Sequence, residues 1–297
     1  MQNFTMRSSR AFSSRAGIFV LACLLVGCSA VRLGYSNGET VVYWWLNSYV
    51  DFESDQTPWV KRHISHLFDW HRKTQLDDYA KLLTQTQQQL QRKVTPADVA
   101  ADYDALKKRM LIVIDKAIPE LTDLALSLQP QQIAQIEKKF ESNNEKYRKE
   151  YLQGDLEQRQ HVRYKKVMKQ AEYWFGNFSA EQEARIRAAS DARPANFEAH
   201  MAGRMRRQQE MVALLRKIQV EKPKHETAMR MLRTYVTATM VHFGDEKQKA
   251  VADAYADSTV QLSVMIINMA TPQQTANAMT RLQKWIDDCR SMAGKEG

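Results

Sequence analysis

Glycine and proline are scarce in this chain, 10 and 7 among 297 residues, and strand-like alternation of polar and apolar side chains is missing. That combination argues against a β architecture and leaves helices as the default. Cysteine is nearly missing as well, with Cys23, Cys28 and Cys289 only. Long apolar runs are also lacking. The longest, Ala16 to Val26, is too short to cross roughly 30 Å of hydrocarbon, which excludes a resident membrane span there. No Gly-x-Ser-x-Gly elbow, phosphate-cradling glycine loop or dinucleotide fingerprint occurs, so the usual local signatures of a nucleophile or a cofactor give no lead.

What is present at the N-terminus is specific. Arg7, Arg10 and Arg15 form a positive segment, the apolar run follows, and Leu25-Val26-Gly27-Cys28 closes it. A small residue directly before a thiol is what lipid-transferring and cleaving enzymes require, so 1–27 reads as a lipoprotein signal peptide and Cys28 as the lipidated residue. A triacylated cysteine, at roughly 0.8 kcal/mol per buried CH2, attaches a protein to its bilayer in effect permanently. Ser29 stands where a retained inner-membrane lipoprotein would carry Asp. The expected location is therefore the inner leaflet of the outer membrane, facing the periplasm. Cleavage removes three arginines and no acid, lowering the formal charge from +9 to +6. Cys289 is then the only thiol, which excludes an internal disulfide and leaves an unreactive buried side chain or an intermolecular bridge.

Residues 28–40, with Gly34, Ser36, Asn37 and Gly38, read as a lipidated tether. Residues 41–297 read as an all-α domain, an elongated bundle of about nine to eleven antiparallel helices, with a division into two sub-bundles near 176–180. The predicted helices cover roughly 39–49, 57–74, 76–93, 96–127, 130–153, 155–175, 180–192, 195–220, 223–242, 245–270 and 272–292. Pro58, Pro96, Pro130 and Pro272 suit first helical positions, where a missing N–H costs nothing. Ser179 with Gln182 and Thr271 with Gln274 have capping-box spacing, and Thr95 with Asp98 a weaker form of it. Gly154, Gly176, Gly244 and Gly294 mark exits. Leu106, Met110, Val113, Ile114, Ala117, Leu121, Leu124 and Leu128 follow one 3.6-residue stripe, and Ala278, Leu282, Trp285 and Ile286 another. Both stripes are expected in the core. Leu128-Gln-Pro-Gln-Gln132, Phe178-Ser-Ala-Glu-Gln182 and Ala270-Thr-Pro-Gln-Gln274 reuse one helix-start solution at uneven spacing, which is not a solenoid repeat.

Val31-Arg-Leu-Gly-Tyr35, Tyr43-Trp-Trp-Leu46, Tyr49-Val-Asp51 and Asp69-Trp-His-Arg72 resemble a family of uncharacterised, all-helical proteobacterial lipoproteins over essentially the whole mature chain. That resemblance implies export and a helical fold, and brings no activity or catalytic residue. The three glutamine segments are also similar to the Leu-Thr-x-x-Gln helix starts of small periplasmic helical chaperones, although none reproduces the Leu-Thr pair.

Chemistry-bearing residues are dispersed. His63, His66 and His71, with Asp69 nearby, place imidazoles at helical spacing, but His-Glu-x-x-His is missing and no metal is expected. Asp77-Asp78, Asp253, Asp257 and Asp287-Asp288 offer carboxylates for glycan cleavage and equally suit solvated faces. Arg163, Lys165, Lys166 and Lys169, then Arg204, Arg206 and Arg207, are candidates for binding an anionic partner, with a solvated helix face as the plain alternative; export argues against nucleic acid. The dense aromatics of residues 43–70 either nucleate the core or, at Trp44 and Trp45, rest at the membrane interface. The expectation is a non-catalytic interaction or scaffold module of the envelope, without cofactor. It would contact the bilayer through acylated Cys28 and bind envelope proteins. The alternatives are a holdase for unfolded exported proteins, using Met201, Met205, Met211, Met229 and Met231 as an adaptable surface, and a glycan-acting enzyme.

Overall fold

The computed structural model describes residues 30–194, 196–240 and 246–294. Cys28, the signal segment and Gly244 lie outside the described residues. Among the described residues the chain forms twelve α-helices and no strand: α1 (Ala30–Ser36), α2 (Gly38–Val50), α3 (Gln56–Thr74), α4 (Leu76–Gln89), α5 (Pro96–Ser127), α6 (Pro130–Tyr151), α7 (Leu156–Phe175), α8 (Ala180–Asp191), α9 (Phe197–Glu221), α10 (His225–Met240), α11 (Glu246–Asn268) and α12 (Pro272–Met292). The all-α expectation holds. The stretch read as a tether differs, because α1 lies within it and α2 starts at Gly38. Gly38 serves close approach there, since a Cβ on it would come within 2.6 Å of the Phe68 ring of α3.

Local signals set most helix ends. Thr95, Asp155, Ser179 and Thr271 each accept the N–H three residues on and receive the return bond of a capping box. These bonds satisfy donors that a helix start otherwise leaves bare. Gly154 and Gly176 take φ of +80° and +82°, a region glycine enters without a Cβ clash.

Glutamine does the long-range joining. Gln182 of α8 and Gln274 of α12 form a reciprocal amide pair, each Nε2 donating to the other's Oε1 at 2.9 and 3.1 Å. Each also donates to a carbonyl two residues before the other's cap, Met269 O at 3.1 Å and Asn177 O at 2.7 Å. Each Oε1 in turn accepts its own cap's N–H, from Ser179 at 3.0 Å and from Thr271 at 2.8 Å. The two helix starts thus meet about a local two-fold axis. Gln56 and Gln132 repeat the device, exchanging amide bonds of 2.6 and 3.3 Å while accepting from Glu53 N and Gln129 N. Gln132 reaches Asp51 O at 3.4 Å, again two residues before the partner's turn. Asn268 adds a third clamp, holding both the N–H and the C=O of Val94 at 2.9 and 2.8 Å.

Three apolar clusters lie around these joints. Val50, Ala125, Leu128, Ile133, Ile136, Val212, Leu215, Ile218, Ala228 and Leu232 unite α2, α5, α6, α9 and α10. Met168, Phe175, Phe178, Ile186, Leu262, Ile266 and Ala278 unite α7, α8, α11 and α12. Leu76, Ala80, Ile286 and Cys289 seat α12 on α4. Phe175, just before the division expected near 176–180, and Phe178, within it, share one cluster. Cys289 is buried and unbridged, and burial, with the Asp288 charge behind it, pushes its thiol pKa up to about 11. That keeps it protonated and a poor nucleophile.

The second expected stripe is core at Ala278, Leu282 and Ile286, while Trp285 is part-buried against Trp174. The first is not. Leu106, Met110 and Leu121 are 50, 42 and 41% exposed, because α5 buries a different seam, Ile118, Thr122 and Ala125. Its N-terminal half leans on α4 through polar contacts instead. Asp102 accepts from Thr86 and Gln89 at 3.0 and 3.3 Å, and Arg109 pairs with Asp78 at 2.9 Å.

The paired glutamines generate a stability test. Gln182→Ala and Gln274→Ala are each expected to cost about 1–3 kcal/mol in denaturant unfolding, because each strands amide and backbone groups of its partner. The double variant should show coupling of about 0.5–3 kcal/mol. Additive losses would mean that the two side chains act independently.

Candidate functional site

The seven basic residues expected to face an anionic partner do not form one surface. Arg163 is buried and caps the end of α8, donating to Ser190 O at 2.7 Å, Pro194 O at 3.0 Å and Arg193 O at 3.3 Å. A guanidinium on three carbonyls at a helix C-terminus answers that end's unsatisfied acceptors and its negative dipole, which explains its burial without a ligand. Lys166 pairs with Glu150 at 2.6 Å and bonds the Tyr151 hydroxyl. Arg204 holds Asn144 Oδ1 at 2.9 Å and lies over the Tyr147 ring, and Arg206 faces Glu210 at 3.8 Å. Arg207 is half-buried, leaving Lys165 and Lys169 exposed one turn apart on α7.

Of the histidines of α3, His63 and His66 stand edge to face with ring centroids 5.9 Å apart, and His71 makes separate contacts. His63 packs on Trp59 with ring centroids 4.1 Å apart and approaches Glu120 at 4.0 Å, while His71 meets the Tyr35 hydroxyl at 2.9 Å. Among the described residues no group of three or more His, Cys, Asp or Glu is placed to hold a metal ion. Four of the six aspartates raised for glycan cleavage have basic or amide neighbours. Asp77 pairs with Lys81 at 3.1 Å, Asp78 with Arg109, Asp253 with Lys249 at 2.6 Å, and Asp287 accepts from Gln283 at 2.8 Å.

Three of the five methionines expected to form an adaptable surface are used in packing. Met201 is 5% exposed, and Met211 and Met231 pack against the first cluster. Met205 lines a groove of about 260 Å³ between α6 and α9, floored by Phe140 and Val212 and closed at one end by the Arg216–Glu137 pair at 2.6 Å.

Exposed large apolar side chains also occur singly, as at Val220 and Leu156, and line up along one helix face in two places. On α5, Tyr103, Leu106 and Met110 are 55, 50 and 42% exposed at i, i+3 and i+7, and Leu121 continues the line three turns on. At 1.5 Å per residue this face runs about 27 Å along the longest helix. On α2, Val41, Trp44 and Trp45 are 54, 66 and 58% exposed, while Tyr49 and Phe52 of the same block pack on the first cluster. The aromatic block thus divides, most of it toward the interior and two indoles outward. Periodicity identified the α5 stripe; that its neighbours leave it bare has no local signal.

Two half-buried histidines, His71 and His200, have pKa values lowered by burial and set an expected pH response. His200 of α9 stands edge-on to Tyr255, centroids 4.8 Å apart, with Arg193 over the same ring at 4.5 Å. Burial, then Arg207 and Arg193, lowers its pKa below the usual histidine value. The unfolded chain therefore binds the extra proton first. Stability from this site is complete above about pH 6.5 and is lost as pH falls below it. The denaturation midpoint should drop between about pH 8 and about pH 5.5, and His200→Phe should make the drop shallower. An unchanged slope in that variant would remove His200 as a cause.

No helix among the described residues is long and apolar enough to cross a membrane. No curated protein and no solved structure matches the chain. A match over residues 48–241, from the end of α2 to just past α10, shows that the chain belongs to a family of unknown function (DUF6279).

Proposed function

We propose that this protein is a lipid-anchored, periplasm-facing envelope lipoprotein that binds a protein partner and performs no catalysis of its own. The Leu25-Val-Gly-Cys28 sequence supports the anchor, and Ser29 supports the inner leaflet of the outer membrane over retention in the inner membrane. The observation that carries the binding role is the α5 face of Tyr103, Leu106, Met110 and Leu121. A ridge of large apolar side chains at helical spacing, beside the salt-linked α4 edge, suits an amphipathic helix laid along it. Hydrophobic burial supplies affinity in such a contact, and flanking charges set register and on-rate.

A photo-cross-linking amino acid at Leu106 or Met110 of the protein in intact cells tests this. The expected result is one or two reproducible envelope proteins, trapped from these positions and not from the exposed position Glu145 on α6. A broad set of exported proteins, increasing under folding stress, would overturn the dedicated partner in favour of a holdase. Trapping that is equal at all positions would remove α5 as the binding face.

A further inference from the structure

We infer that the outward face of α2, Val41, Trp44 and Trp45, is seated in the phospholipid interface beside the acylated N-terminus. This rests on the anchor reading of Cys28 and extends it from attachment to orientation. Three large apolar side chains at i, i+3 and i+4 occupy one side of α2, and each is more than half exposed. Indoles carry an apolar ring and an N–H donor, the combination that concentrates tryptophan at bilayer interfaces. The alternative occupants, a second copy or another protein, lack what the bilayer has here, which is enforced proximity.

That proximity follows from chain length. Cys28 precedes α1 by two residues, α1 runs from Ala30 to Ser36 and α2 starts at Gly38. Sixteen residues separate Cys28 from Trp44, about 24 Å at helical rise, which is less than the roughly 30 Å thickness of a hydrocarbon core. Acyl chains on Cys28 would hold α2 permanently within reach of the headgroups. At such an effective concentration a contact too weak to recruit a free protein still sets orientation.

The rest of α2 makes the seat matter for the whole body, Tyr49 flanking Trp45 with ring centroids 5.2 Å apart and Tyr43 and Val50 lying on the opposite side. Tyr49 accepts from Asn143 Nδ2 at 2.9 Å and packs edge-on to Phe140 of α6. Tyr43 bonds Thr57 at 3.2 Å and lies under Lys61 at 4.6 Å. Val50 enters the first cluster. Glu39, the acid nearest the start of the helix, is paired with Arg72 at 3.1 Å, while Asp51, Glu53 and Asp55 lie beyond the other end, clear of the indoles in sequence. Seating α2 would therefore fix how the remaining helices point into the periplasm.

The test uses the processed full-length protein, purified in detergent and reconstituted into phosphatidylethanolamine–phosphatidylglycerol vesicles with brominated acyl chains. Tryptophan quenching is compared between the wild type and Trp44→Phe/Trp45→Phe, and mass spectrometry of the N-terminal peptide reads acylation of Cys28 separately. The chain has six tryptophans, so bromolipid should remove about a third of wild-type emission, and that loss should nearly vanish in the double variant. Equal quenching in both, with Cys28 acylated, overturns the seat and leaves the anchor. Trp-dependent quenching with Cys28 unmodified supports the seat and overturns the anchor, and neither signal overturns both. Emission shielded from bromolipid but shifting with protein concentration would assign the face to a second copy and overturn the seat.

Discussion

Buried helix ends are the constraint on which this fold depends. Twelve helices among the described residues create many starts and stops, and each leaves backbone groups without partners inside its own helix. Here the ends are brought together, so that one side chain can cap its own helix and bind the end of another. Gln182 and Gln274 do this reciprocally, as do Gln56 and Gln132. Their amides have two donors and two acceptor sites, enough for the cap, the partner amide and a foreign carbonyl at once. Arg163 applies the same logic to the end of α8, and Asn268 to Val94. The apolar clusters then pack around joints whose register is already set.

Those joints also explain why two faces remain bare. With Asp102 and Arg109 committed to α4, and Ile118, Thr122 and Ala125 committed to the core, the described elements leave Tyr103, Leu106 and Met110 about half exposed on the N-terminal half of α5. With Tyr49 and Val50 committed inward, Trp44 and Trp45 face out. The proposed division of labour assigns the α2 face to the bilayer and the α5 face to a protein. The two faces belong to different helices of one connected body, so seating the first would orient the second.

Much of the secondary structure was legible because its determinants are local. Prolines at first positions, Ser179 with Gln182, Thr271 with Gln274 and glycines of positive φ all act within a few residues. The N-terminal edge of α3 was less so. Its N-cap, Asp55, makes no side-chain cap bond, and the residue Gln56 binds, Gln132, is 76 positions away. Recurrence of glutamine-ended segments was visible, while their pairing across space was not. Periodicity showed that α5 has an apolar stripe but not that its neighbours would lie on other sides of it. Arg163 read as one more charge among Lys165, Lys166 and Lys169; its burial comes from the carbonyls of residues 190–194, which no local pattern announces. The site is thus legible as residue types, and its surfaces only as geometry.

The central claim is that a partner covers α5 in the cell. Hydrogen–deuterium exchange on the protein in native envelope fragments, compared with the purified protein, addresses it most directly. The account predicts slower exchange in the envelope along residues 99–114 of α5, with the second cluster of α7, α8 and α12 unchanged. Identical exchange along α5 in both preparations would contradict it.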